Sequence, residues 1–191
     1  MVSNSKVFAV ALLVGAIATP AMADSFYGAL DVGQSKVKDN CTSGLSGCKD
    51  TASMIRVAGG YQFTPMWGAE VSYGAYGKAS AGTGGVVSAN DWQISGLQLS
   101  GIGTLPVADG FSFLVKLGIA STNAKVSYTL SGTEGSHSVT STKLAYGIGA
   151  QYDFTKGISA RAQYENLGKV GDSNIGTNII TLLSAGVVFK F

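Results

Sequence analysis

The stretch Leu144-Ala145-Tyr146-Gly147-Ile148-Gly149-Ala150-Gln151-Tyr152-Asp153-Phe154 decides the fold. Leu144, Tyr146, Ile148, Ala150, Tyr152 and Phe154 share one face. Ala145, Gly147, Gly149, Gln151 and Asp153, with Lys143 before them, share the other. Successive side chains of a strand point to opposite faces, so a period of two held this long reads as β-structure with one apolar face. The same period recurs along the chain. Ile55, Val57, Tyr61 and Phe63 oppose Arg56, Ala58, Gly60 and Gln62. Trp67, Ala69, Val71 and Tyr73 oppose Glu70 and Ser72. Phe111, Phe113, Val115, Leu117 and Ile119 oppose Ser112, Lys116, Gly118 and Ala120. Ile158, Ala160, Ala162 and Tyr164 oppose Ser159, Arg161, Gln163 and Glu165. Less regular segments lie at 26–37, where Asp31 stands opposite Leu30 and Val32, and at 91–105. A final segment at 177–191 is apolar on both faces for part of its length.

These segments make eight strands joined by connections of alternating length. Short ones fall at Thr64-Pro65, 106–110 and 153–157. Longer polar ones fall near 38–50, 77–90, 130–141 and 167–176. Short turns at one end and long loops at the other are the pattern of a transmembrane barrel. A soluble up-and-down barrel of the lipocalin kind has the same period with its apolar face inward. Three features favour the membrane form. The polar face is mostly Gly, Ala, Ser and Gln, where a water-exposed face carries many more charges. Phe26, Phe63, Trp67, Phe111, Phe113, Phe154 and Phe189 collect near the short-turn ends, as an interfacial girdle does. The last strand keeps Leu183, Ala185, Val187, Phe189 and Phe191 on one face. The expected fold is therefore all-β: an eight-stranded antiparallel up-and-down transmembrane β-barrel. Hydrocarbon offers backbone groups no partner, so a sheet spans it only by closing on itself.

Composition agrees. Charged residues are 13% of the chain, against roughly 25% in soluble domains. The formal net charge is +2 with no basic block, which argues against nucleic-acid binding. The first 23 residues read as a secretory signal: Lys6, an apolar run from Val7 to Ala18, then Ala21-Met22-Ala23. Cleavage is expected before Asp24, leaving a barrel domain over 24–191. The competing reading, an uncleaved anchor helix, needs a longer apolar run. Cys41 and Cys48 sit close together in a polar Gly/Ser segment, and in an exported protein such a pair is most simply a disulfide. Two thiols without a nearby histidine are a poor metal set, and no metal or cofactor is expected.

The charges that fall on the polar face are Arg56, Glu70, Lys116, Arg161 and Glu165. Facing lipid at midplane, a Lys or Arg would cost roughly 2–4 kcal/mol, so they are expected to point into the lumen. There they form either a gate on a narrow ion path or an ion-pair network that fills the barrel. Eight strands leave an interior that side chains can fill, which favours the filled form. His137, the only histidine, lies in Ser136-His137-Ser138 in the third long loop. A Ser/His hydrolase would need nucleophile, base and orienting acid within hydrogen-bond reach. Neighbours on an extended segment point oppositely, which argues against an enzyme. Gly82, Gly84 and Gly85 precede no helix start and make no phosphate cradle.

Gly96-Leu97-Gln98-Leu99-Ser100 with Leu105-Pro106-Val107, Lys116-Leu117-Gly118 and Ala160-Arg161-Ala162-Gln163-Tyr164 resemble the OmpA-type transmembrane domain, and the resemblance extends over residues 24–191. Small barrels of the OmpX, Ail and opacity types share the architecture. The ending Val187-Val188-Phe189-Lys190-Phe191 resembles the terminal signal of such proteins, so Phe189 and Phe191 are implied to be read by the barrel-assembly machinery. The resemblance implies the bacterial outer membrane and a role in envelope integrity and surface contacts. Implied partners are outer-membrane lipid and lipopolysaccharide, and a host or extracellular ligand at the loops, with the protein a monomer. A narrow channel and a surface adhesin or host-resistance protein are the alternatives. In the family, lumenal salt bridges obstruct the barrel. Glu70 and Arg161 match two members of that set, while Ile102 and Gln151 stand at the other two positions, leaving the family's charge switch incomplete here. Larger members add a peptidoglycan-binding domain after the barrel. The sequence here runs to the last strand, so that anchoring role is not expected.

Overall fold

A computed structural model describes residues 25–38, 50–81, 87–130, 133–172 and 176–191; at 38, 78–81, 87–92, 126–130, 133–137, 170–172 and 176–178 it describes the backbone alone. Eight strands follow one another: β1 (Ser25–Lys38), β2 (Thr51–Gln62), β3 (Trp67–Ala81), β4 (Val87–Ala108), β5 (Phe111–Leu130), β6 (Thr133–Asp153), β7 (Ile158–Asp172) and β8 (Gly176–Lys190). Each pairs antiparallel with its neighbours in sequence, and β1 pairs with β8, so the sheet closes. Beyond the ladder, the Phe191 N–H donates to Phe26 O at 2.9 Å across that seam. The expected segment 1–23 and the Cys41/Cys48 pair lie outside the described residues.

The registers fix the barrel's shape. From Asp31 the pairs run through Arg56, Gly74 and Gly96 to Thr122 on β5; the other way they run through Gly186, Arg161 and Gln151 to Ser112. The two paths meet β5 ten residues apart. A stagger of that size around eight strands tilts them by roughly 40° to the barrel axis. Tilt brings residues far apart in sequence, such as Asp31 and Arg161, to one height.

Apolar side chains face out. Leu30, Val57, Leu99, Leu117, Ile148 and Leu183 are all about half exposed or more, while Asp31, Arg56, Glu70 and Glu165 are 0–1% exposed. This inverts the arrangement of a soluble barrel, whose apolar face is the one removed from water. At the short-turn end, rings meet in pairs, tilted or edge to face: Phe26 with Tyr61 at 4.7 Å, Phe111 with Phe113 at 5.3 Å and Tyr152 with Phe154 at 5.2 Å.

The strands run further toward the loop end than the alternation indicated. The segments read as connections at 77–90, 130–141 and 167–176 are largely strand: β5 and β6 pair continuously up to Leu130 and Thr133. Alternation of polarity stops where the apolar surroundings stop, but an antiparallel ladder satisfies its backbone groups in water equally well. His137 therefore lies within β6, paired with Val126, rather than in a loop. Between Asn166 and Lys169 the register shifts, with Gly168 at φ +81°, a conformation that an L side chain resists. The extra residue turns Lys169 to the outer face beside Ile179.

Candidate functional site: a charged ring in the lumen

The inward residues of six strands carry the lumen's centre. Asp31 on β1 takes hydrogen bonds from two arginines. Arg56 Nε donates to Oδ2 at 3.0 Å, while Arg161 Nε and Nη2 donate to Oδ1 and Oδ2 at 2.8 and 2.7 Å. Arg161 Nη1 also donates to Glu70 Oε2. Lys116 Nζ lies 2.8 Å from Glu70 Oε1 and 3.2 Å from Glu165 Oε2. Arg56 Nη1 completes the circuit by donating to Glu165 Oε1. The result is a closed ring of alternating sign: Asp31, Arg56, Glu165, Lys116, Glu70, Arg161 and back to Asp31. Neutral groups tie its outer lone pairs and protons. Tyr27 OH donates to Glu70 at 3.1 Å, Arg56 Nη2 donates to Gln163 Oε1 at 2.7 Å, and Gln98 Nε2, on β4, donates to Glu165 at 3.1 Å.

Three anions and three cations cancel, so the ring offers a passing ion no net charge. Every member touches two of opposite sign, so moving one side chain breaks two contacts in a site that water does not reach. Charges removed from water are tolerable only with this kind of complete pairing. Local sequence makes the room: a Cβ on Gly186 would fall on Asp31 Oδ1 and Leu30 O, so glycine at that place lets the Asp31 carboxylate sit against β8.

On the short-turn side of the ring the lumen opens into a cavity of about 310 Å³. Tyr27, Thr104, Ser112, Gln151 and Arg161 are among its lining residues, and Asp153 and Lys190 pair at its rim at 2.8 Å. On the loop side the lumen is filled. Val37, Met54, Tyr76, Ile94, Ala120, Ala124, Ala145, Leu167, Ile180 and Leu182 form one buried apolar cluster, each no more than 5% exposed. The lumen thus has three levels: an open vestibule of mixed polarity, a neutral ring of charges and an apolar plug.

All five charges picked out by alternation, Arg56, Glu70, Lys116, Arg161 and Glu165, meet in the ring. The sixth, Asp31, was visible as a charge opposite Leu30 and Val32 and obeys the same rule. The plug was not anticipated; its one sequence signal was the last strand, apolar on both faces, where Ile180 and Leu182 point inward and Leu183 outward. Ile102 is buried and lines the vestibule with Gln151; they pair in register with Lys116 and Arg161 but add no charge to the ring. Phe189 and Phe191 lie exposed at the short-turn end of the β1–β8 seam. Of Ser136 and His137 only the backbone is described. Among the described residues no group of His, Cys, Asp and Glu could hold a metal.

Comparison with known proteins agrees with this geometry. The model of the OmpA-like transmembrane domain matches residues 21–191. Outer membrane protein A of Klebsiella pneumoniae is 27% identical over 137 residues, which cover 70% of this chain and 39% of that protein. The chain thus spans about two fifths of the length of the relatives it matches. Among solved structures, Neisserial surface protein A superposes with a TM-score of 0.62 at 22% identity, covering 89% of this chain and 100% of that one. The attachment invasion locus protein Ail of Yersinia pestis does so at 0.58 and 20%, with the same coverage. At these identities the likeness is one of fold.

Proposed function

Because the chain belongs to the OmpA-like transmembrane domain family, and so to the bacterial outer membrane, we propose that it is a sealed structural barrel. On this reading it adds a rigid, lipid-embedded element to the envelope and presents its loop end to the outside, where partners can bind. It neither conducts nor catalyses. The observation that carries the reading is the lumen's double closure, a neutral charge ring backed by an apolar plug. A channel needs sites an ion can enter and leave, or at least a wetted path. An apolar constriction excludes water and ions even when nothing else blocks it.

The test is planar-bilayer conductance of the refolded protein, its folding verified by the heat-dependent gel shift, beside Glu70→Ala and Arg161→Ala. All three are expected to be silent, because the plug survives either substitution. Steady conductance in the parent that changes with either variant would make the ring a gate and the protein a narrow channel. An envelope role predicts that deleting the gene raises vesicle shedding and detergent sensitivity, and that the parent protein reverses both.

A further inference from the structure

The charged ring joins two hairpins that are built alike. Seven of the eighteen residues from Tyr61 to Lys78 recur at the same spacing from Tyr152 to Lys169. They are Tyr61 and Tyr152, Phe63 and Phe154, Thr64 and Thr155, Ala69 and Ala160, Tyr73 and Tyr164, Gly77 and Gly168, and Lys78 and Lys169.

The backbone repeats as well. β2 and β3 pair over eight positions, from Ile55 with Ala75 to Gln62 with Gly68. β6 and β7 pair over eight, from Tyr146 with Asn166 to Asp153 with Ser159. At the first turn Phe63 N–H donates to Trp67 O at 2.9 Å, and Thr64 Oγ1 accepts from the N–H groups of Met66 and Trp67 at 3.3 and 3.0 Å. At the second, Phe154 N–H donates to Ile158 O at 3.0 Å, and Thr155 Oγ1 accepts from Gly157 and Ile158 at 3.3 and 3.0 Å. Both hairpins then end in the same bulge. Register with the next strand shifts between Ala75 and Lys78 and between Asn166 and Lys169, and Gly77 and Gly168 both have φ +81°. A threonine turn recurs in unrelated hairpins because its hydroxyl satisfies free N–H groups. That chemistry does not call for a left-handed glycine thirteen residues further on in both. The turn between β4 and β5 is different, with its positive-φ glycine, Gly110, inside the turn.

What differs between the two hairpins is charge. Glu70 and Arg161 hold one equivalent place with opposite sign, Arg56 and Gly147 a second, Gly74 and Glu165 a third. In register Arg56 stands beside Gly74 and Glu165 beside Gly147, so each hairpin has a glycine where the other carries a long charged side chain. Four strands separate the two in the closed sheet, which sets them face to face across the lumen. There Arg161 meets Glu70 and Arg56 meets Glu165. Two identical hairpins of the first kind would set Glu70 against a second glutamate and leave Arg56 facing glycine. Buried charges do not tolerate such pairing.

We infer that β2–β3 and β6–β7 are two copies of one hairpin, differentiated in charge so that each is the docking partner of the other across the lumen. The shared scaffold brings equivalent positions to matching heights. The inverted charge excludes pairing of a hairpin with its own kind, whether in the same chain or in a second copy of it.

The experiment builds both hairpins from one sequence in the full chain. In the first chimera, residues 146–169 are replaced by the sequence of 55–78 carrying R56G, E70R, S72Q, G74E and Y76L, which restores the lumenal residues proper to that place. The second chimera carries only S72Q and Y76L, so that the two hairpins have identical charges. Both are refolded into lipid vesicles. The first is expected to show the heat-dependent gel shift and a urea midpoint close to the parent's, and the second to lose the shift. Failure of the first chimera to fold would overturn the equivalence of the hairpins. Folding of the second with a midpoint equal to the first would overturn the charge-coded partnership. Two single variants of the parent, G77A and G168A, check the shared bulge: equal downward shifts of the midpoint are expected, and a loss confined to one of them would count against a common unit.

Discussion

The middle of the lumen carries six charges, and the apolar cluster above it carries none, although both are almost fully buried. The two levels close the same space by different physics. In the ring, stability is directional: each group needs two partners at hydrogen-bond distance, and the loss of one orphans its neighbours. In the plug, contact is non-directional, and the loss of a methyl group leaves a small cavity that neighbours can partly fill. The ring therefore sets geometry, while the plug excludes water.

Arg161→Ala strikes this contrast hardest, because it leaves both Asp31 and Glu70 short of a cation. Unfolding in urea from lipid vesicles should show a loss of roughly 3–5 kcal/mol. Leu182→Ala, in the plug, should lose less, near the low end of the roughly 2–5 kcal/mol known for buried leucines, since adjacent Ile180 and Leu167 can relax toward the space. If Leu182→Ala proved costlier than Arg161→Ala, the ring would be no more than filler. Ile180→Val should cost about 1 kcal/mol and leave the bilayer silent. Asp50→Asn, which removes the acid from an exposed pair, should leave the unfolding midpoint unchanged, and so should raising salt around the parent ring, which is closed to bulk ions.

How much of this was legible in the sequence follows from what a period of two can and cannot encode. It separates faces, so strand count, closure and five of the ring's members could be read wherever an apolar residue faced a charge. Asp31 obeyed the same rule, but its strand is irregular and it was not joined to the others. The rule fails where both faces are apolar. Nothing in the order Ile180, Thr181, Leu182, Leu183 says which side chain meets lipid and which meets Met54 or Tyr76. It also fails at bulges, where the extra residue at Gly168 exchanges the faces beyond it. Which charges touch which depends on the ten-residue stagger, a property of the whole closed sheet that no single strand contains.

The ring draws Asp31 from the first strand and Arg161 and Glu165 from the seventh, on either side of the seam where β1 meets β8. It can therefore be complete only in a closed barrel, and only in one register. A slip of two residues at the seam would keep every side chain on its proper face and satisfy the ladder equally well. It would also carry the Asp31 carboxylate away from the recess at Gly186 and from the Arg161 guanidinium, and part Arg56 from Glu165. Hydrophobicity alone cannot distinguish those alternatives, but the charges can. At closure of the sheet the ring works as a combination lock, admitting the two ends to each other at a single setting.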